Sequence, residues 1–491
     1  MEIIERSATG LARAIREGEL TSREVVEAHI EHARGVNPQL KAIAADRFEA
    51  ALDEADAADD RVRSAKAGDE FPPFLGVPCT IKESFALAGM PNAAGLVHRR
   101  DLRAEADALA VARLRAAGAI PIGVTNTSEA TMWIESNNRL YGRTNNAYNP
   151  RRTAGGSSGG EGAAIGSGMA PIGLGSDIGG SIRLPAFFNG VFGHKPSPGI
   201  IPSSGHFPSA TSESAGEMLA AGPLVRRAED LMPFIRAVAG RDDGDPISRD
   251  VALRDPESVN LDGLDVVLTE GATLLPVRGE LRDARERAAG ALAAAGANIR
   301  RERLTGMRRA VEYYLATLGD GDEDLLEVLA LDAAPQLPRV AIDTLRKRGE
   351  HTLPLALLFA VQRAADRMPP ARTQRAIEAG RALTRELEEV VGDGVLLHPP
   401  FPRVAPRHGG TVGRPWVLAN AAVFNLTGQP VTQVPLGLDS KGLPLGVQVV
   451  AGRDRDHVSI AVALELERTF GGWVRPGVPI AGREAEAAAT R

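Results

Sequence analysis

Three residues of this 491-residue chain have the types and spacing for acyl-transfer chemistry. Lys82 closes an apolar run, FLGVPCTIK (74–82). Ser157 and Ser181 each lie in a Gly cluster, TAGGSSGGEG (153–162) and GLGSDIGGSIRLP (173–185). A serine hydroxyl becomes a useful nucleophile when a base takes its proton and nearby donors receive the oxyanion. The small residues Ile178-Gly179-Gly180-Ser181 can aim consecutive N–H groups at one point as an anion nest. A helix starting after Ser181 would add its positive end. Neither cluster contains a His, so the base must be another group. Lys82 fits, because burial in a strand favours the neutral amine. Moving a Lys from about 10.4 to near 7 shifts the balance by roughly 4–5 kcal/mol and yields a working general base. Thr80 shares its face by two-residue alternation.

Other uses of these glycines fit less well. Fifteen of the 53 Gly fall between Gly155 and Gly205. A phosphate loop needs Lys then Ser or Thr after its last Gly, which neither cluster has. Gly166–Pro171 fails the dinucleotide fingerprint at its last position. Gly156–Gly160 fits the G-x-S-x-G elbow at Ser158, and the frame one residue earlier fits at Ser157. That elbow follows a strand, whereas NNAYNPRRTA (145–154) reads as loop. Tight packing explains any single Gly, but not two clusters that each present a Ser. Cys79, the only Cys, reads as a small core residue. His398 and His457 stand alone, and the nine His show no zinc-ligand spacing, so no metal or organic cofactor is expected.

Elements must hold these residues in place. Residues 7–70 read as helices, with Ser7 capping the first and Thr21 with Glu24 forming a capping box for the second. From Phe74 onward, short apolar runs bounded by Gly and Pro read as buried strands: 74–82, 119–126, 170–177 and 190–196. A helical pattern, 106–117, separates the first two. Strand, helix, strand indicates a sheet with covered faces. Helices are expected at 226–240, 279–296 and 455–469, and strands at 265–270, 394–400, 433–438 and 445–451. Residues 305–390 are almost wholly helical in pattern. The expected fold class is α/β: one α/β/α domain with a central mixed, mostly parallel twisted sheet. Its expected parts are N-terminal helices (1–70), a core with the catalytic motifs (71–300), a variable helical insert (301–390) and a C-terminal return to the core (391–491).

Composition narrows the partners. The net charge is −6 and no strongly basic tract exists, which argues against nucleic acid. Leu353–Val361 is too short to span a bilayer, which needs about 20 residues. The opening residues lack a basic-then-apolar leader pattern, and one Cys suits a reducing compartment, so the expected location is cytoplasmic.

The motifs resemble the amidase signature family. GGSSGGEGAAIGSGMAPIGLGSDIGGSIRLPAFFNGVFGHKPS (155–197) is similar to its signature stretch, and GVPCTIKES (76–84) to its Lys strand. Ser157 lies 75 residues after Lys82, and Ser181 a further 24. GPLVRRAEDL (222–231) and FNLTGQPVTQVPLGLDSKGLPLGVQVVA (424–451) continue the similarity. The resemblance implies that Ser181 is acylated, that Ser157 follows a cis peptide from Gly156 and relays the proton, and that Lys82 drives the relay. It further implies an oxyanion hole from the amides of Ile178, Gly179, Gly180 and Ser181, with Ser158, Asp177 and Arg183 as supports. Ile178, Leu184 and Phe187-Phe188-Asn189 resemble the fatty acid amide hydrolase-like branch. Glutamine-hydrolysing amidotransferase subunits tend to carry Thr and Gln at the positions of Ile178 and Leu184. They are the alternative.

The family places acyl-pocket residues near TMWIESNN (131–138), so Thr131, Met132, Trp133 and Gly156 are candidate substrate contacts. Tyr313, Tyr314, Leu315 and Leu318 could form a pocket wall or lid, and Trp416 and Phe424 could approach it. The implied activity is hydrolysis of small-molecule amides with apolar or aryl parts, with ester and carbamate (urethane) cleavage as companions. The expected state is monomer or homodimer.

Overall fold

The computed structural model describes residues 2–477, apart from 211, 270–275, 278, 321–324, 347, 366 and 368. The two N-terminal caps form as their residues dictate. The Ser7 hydroxyl accepts from Gly10 N–H at 3.0 Å. Thr21 and Glu24 exchange side chain-to-backbone bonds at 3.1 and 2.8 Å. Between these helices and the core, residues 43–46 form a strand, where a purely helical N-terminal region was expected.

The strands, in chain order, are β1 (Ile43–Asp46), β2 (Val77–Lys82), β3 (Ala119–Thr125), β4 (Asn137–Asn138), β5 (Gly142–Arg143), β6 (Ile172–Asp177) and β7 (Phe192–Lys195). They continue with β8 (Ala220–Val225), β9 (Asp265–Thr269), β10 (Asn298–Glu302), β11 (Val395–His398), β12 (Val431–Leu438) and β13 (Pro444–Ala451). Strands β4 and β5 form a small hairpin. The other eleven make one sheet in the order β1-β3-β2-β6-β8-β7-β12-β13-β11-β9-β10. The sheet is mixed, and the chain is an α/β domain. Parallel pairing is confined to β3-β2-β6 and β11-β9-β10. The stretch from β6 through β12 and β13 to β11 is antiparallel. The expectation of a mostly parallel sheet is therefore corrected to parallel flanks around an antiparallel centre.

Both faces of the sheet are buried. Val77, Cys79 and Ile81 of β2 enter a core with Phe74, Val111 and Leu174. Ile120, Ile122 and Leu224 enter another with Ala163, Ala164 and Ile165 of the helix Gly159–Ser167. That alternation leaves Thr80 and Lys82 on the side of this helix, where Thr80 Oγ1 donates to Glu161 at 2.6 Å. Residues 301–390 supply helices Ala310–Leu318, Leu337–Leu345, Leu353–Ala365 and Pro370–Val391. Among the described residues no helix is long and apolar enough to cross a membrane.

Candidate active site

Parallel strands bring their C-terminal ends to one edge. Ile81 of β2 pairs with Leu174 of β6, so Lys82 and Ser176 finish side by side. Lys82 Nζ lies 2.8 Å from Ser176 Oγ and 2.6 Å from Ser157 Oγ. All three side chains are buried.

Ser157 arrives on the loop that enters the helix Gly159–Ser167. The residues just before it, 144–156, form no strand, which separates it from the elbow architecture. The Gly156–Ser157 peptide is cis. Thr127 Oγ1 and Ser136 Oγ donate to the Ser157 carbonyl at 2.9 and 2.8 Å. Ser158 N–H donates to the Ser181 carbonyl at 3.2 Å, tying the two serine loops together. Ser158 Oγ donates to the Ser176 carbonyl at 3.2 Å. Gly156 is pressed against the segment that carries Trp133. A Cβ there would stand 2.7 Å from Trp133 O and Glu135 N.

The loop 178–181 is shaped by Asp177. Its carboxylate accepts from Gly180 N–H at 2.7 Å and Ile182 N–H at 3.0 Å. It also takes both forks of Arg183, Nε at 3.0 Å and Nη2 at 2.9 Å, with neither partner exposed. Asn425 Nδ2 reaches it from the far end of the chain at 2.9 Å. Gly180 has φ +112°, a conformation that suits Gly, and a Cβ there would meet Ala421 Cβ at 2.6 Å. Its amide is thus committed to Asp177, a departure from the expected four-amide nest. Among the described residues, the amides of Ile178, Gly179 and Ser181 donate to no acceptor within the chain. The following helix, Arg183–Phe188, has six residues. At that length individual amides count for more than a helix dipole.

Burial sets the electrostatics. It pushes the Lys82 ammonium down to about 7, and the Asp177 and Glu161 carboxylates pull only partly the other way. Burial also raises Glu161, to about 7, against the opposing hydroxyl bonds from Thr80 and Thr125. Burial works against the Asp177 anion too. There the Arg183 charge and hydrogen bonds outweigh it, and the carboxyl is held well below the usual range. Cys79 is buried with its thiol pushed up, which suits a core residue.

The substrate candidates are distributed. Thr131 has a left-handed backbone, φ 59°. Met132 packs with Leu329, Leu355 and Phe359, so helix Leu353–Ala365 covers this loop. Trp133 Nε1 donates to Thr411 Oγ1 at 2.9 Å. A cavity of about 270 Å³ opens beside Trp133, between Arg139, His408 and Leu353, and it is not lined by Lys82, Ser157 or Ser181. The tyrosine pair divides. Tyr313 enters a separate core, whereas Tyr314 packs on Ile178, its Oη 3.2 Å from where a Gly179 Cβ would stand. Phe424 is buried against His398, 5.3 Å between ring centroids. Trp416 is partly exposed.

Ser176, His206, Glu161 and Asn425 escape sequence reasoning. Ser176 is signalled only by strand register. Among the described residues no group of acidic, His or Cys side chains has metal-site geometry.

The family model described as Amidase matches residues 24–459. "Fatty-acid amide hydrolase 2-B" of Danio rerio is 42% identical over 96% of this chain and 91% of that protein. "Fatty-acid amide hydrolase 2" of Homo sapiens is 41% identical over 96% and 90%. The solved structure of 6-aminohexanoate cyclic dimer hydrolase superposes with a TM-score of 0.80 at 27% identity, covering 97% of this chain and 99% of that one. Glutamyl-tRNA(Gln) amidotransferase A subunits are more distant relatives.

Proposed function

This chain belongs to the amidase family, and we propose that it hydrolyses apolar amides, fatty-acid amides foremost, through an acyl-enzyme on Ser181. The observation that carries the reading is the buried 2.6 Å contact between Lys82 Nζ and Ser157 Oγ, beside a loop with undonated amides. Neutral Lys82 takes the proton of Ser157, and Ser157 takes that of Ser181. Ser181 Oγ forms a bond to the substrate carbonyl carbon. The oxyanion is received by the amides of Ile178, Gly179 and Ser181, while Gly180 braces the turn through Asp177. Lys82 returns its proton through Ser157 to the leaving nitrogen, and the C–N bond breaks. Water then adds to the acyl carbon with the same base, and the C–O bond to Ser181 breaks. No step requires a metal or organic cofactor.

Thr131, Met132 and Trp133 receive the acyl part in this reading, and the likeness to two fatty-acid amide hydrolases at 41–42% identity supports a long apolar one. The mechanism needs only a carbonyl and a leaving group, so esters and carbamates are also proposed substrates. The single Cys supports a reducing, cytoplasmic setting. A monomer or homodimer is the proposed state.

The test is labelling by a fluorophosphonate probe and hydrolysis of aryl amides, fatty amides, p-nitrophenyl esters and carbamates. Ser181→Ala is expected to lose labelling and turnover. Undiminished turnover refutes the mechanism. Hydrolysis of glutamine alone moves the assignment to an amidotransferase subunit.

A further inference from the structure

Ser176 Oγ sits between two partners, Lys82 Nζ at 2.8 Å and His206 Nε2 at 2.9 Å. It has one proton to give. The other side of the His206 ring decides where that proton goes. His206 Nδ1 is 2.8 Å from the Pro208 carbonyl oxygen, which can only accept, so Nδ1 carries a hydrogen. Burial, aided by Lys82, holds this ring down to about 3, so it is neutral and Nε2 is a bare acceptor. Ser176 must then donate to His206 and turn lone pairs toward Lys82.

A neutral amine has two N–H bonds and one lone pair. With an N–H directed to Ser176 Oγ, the lone pair is available to the Ser157 hydroxyl. We propose that His206 is a positioning residue for Lys82: it fixes the direction of the Pro208–His206–Ser176–Lys82 hydrogen-bond chain, so that the amine lone pair faces Ser157. Without this acceptor, the Ser176 hydroxyl swings back and donates to the lone pair that Ser157 needs.

The ring is well placed for this duty. It meets Phe85 edge-on at 4.8 Å, and Phe207 N–H donates to the Ser84 carbonyl at 2.7 Å, docking the His206 loop just beyond Lys82. The other charged groups facing Lys82 are Asp177 and Glu161. Asp177 is bound to Gly180, Ile182, Arg183 and Asn425, and Glu161 to Thr80 and Thr125. Neither directs the Ser176 proton.

The proposal rests on the Ser181–Ser157–Lys82 reading, so Ser181→Ala is assayed alongside. The experiment measures kcat and KM on an aryl amide from pH 5 to 10 for wild type, His206→Phe, His206→Gln, Ser176→Ala and the Ser176→Ala/His206→Phe double variant. His206→Phe should lose kcat on the order of 10- to 100-fold, a share of the general-base contribution, with KM little changed. His206→Gln, whose amide oxygen can accept from Ser176, should recover most of it. The double variant should be no slower than Ser176→Ala, because His206 acts through Ser176. Full kcat in His206→Phe, equal loss in Phe and Gln, or multiplied losses in the double variant overturns the role. Turnover retained by Ser181→Ala instead overturns the underlying mechanism, and the role with it. Nitrogen-15 shifts of the wild-type ring give a check independent of variant folding. A neutral ring protonated on Nδ1 is expected at pH 7, and protonation on Nε2 refutes the proposal.

Discussion

The ionisation of Lys82 offers the sharpest quantitative handle on the proposed chemistry. Burial brings it from an ordinary 10.5 to about 7. At pH 7 about half of the enzyme then carries the free amine, against about 0.03% for a solvated Lys, a gain on the order of 10³. The perturbation is pH itself, applied to kcat/KM on an aryl amide. The rate should fall about tenfold per unit below pH 6, bend near 7, and level off above 8. Lys82→Ala should lose most turnover at neutral pH, lose the bend, and recover part of the rate at high pH. The same shift has a stability counterpart. Between pH 7 and 10.5 the unfolded chain holds the proton and the folded one does not. Stability therefore rises with pH across that window, by about 5 kcal/mol at most. Lys82→Met removes this dependence and should unfold at higher urea than wild type at pH 7. A bend above pH 9, or a flat profile from pH 5 to 9, refutes the assignment of Lys82 as base.

Two further substitutions test the scaffold. Gly156→Ala puts a Cβ 2.7 Å from two backbone atoms that cannot rotate away, about 0.7 Å inside ordinary contact. It should cost about 1–3 kcal/mol and, by displacing Ser157, on the order of 10- to 100-fold in kcat; kcat within twofold of wild type contradicts the close packing. Asp177→Asn leaves the unexposed Arg183 charge without its carboxylate. Stability should fall by about 3–5 kcal/mol in urea unfolding, and less when Arg183→Met is added; an unchanged midpoint contradicts the buried pair.

Much of the site was legible because its chemistry is concentrated locally. Lys82 ends an apolar run, and the two serines lie in Gly clusters where little else explains the composition. The sheet was less legible. Gly222-Pro223 in β8 reads as a strand breaker, since Pro lacks the N–H of a central ladder. Yet Pro223 pairs with Leu174 in the middle of the sheet, and this strand turns the centre antiparallel. The short β1 is a four-residue edge between helices, too brief for alternation to register. His206 was illegible for a different reason. It is a lone His on a loop, and its meaning lies in the 2.9 Å contact to Ser176, which only three-dimensional proximity creates. Gly180 shows the limit of motif reading: its place in a row of amides was visible, but not that its N–H already donates to Asp177.

The bracing of Asp177 and Arg183 also bears on how the enzyme is born. Arg183 is held by the Ala421 carbonyl, the Asn425 side chain and Gln448 at 3.0, 2.6 and 2.9 Å. These partners lie more than 230 residues downstream. At about 5–20 residues per second, a ribosome that has just made Ser181 needs at least ten seconds more to supply them. The loop 178–181 therefore waits for residues 421–448 before its Asp177–Arg183 brace is complete, so a nascent chain that already contains Lys82, Ser157 and Ser181 still lacks the support that shapes this loop.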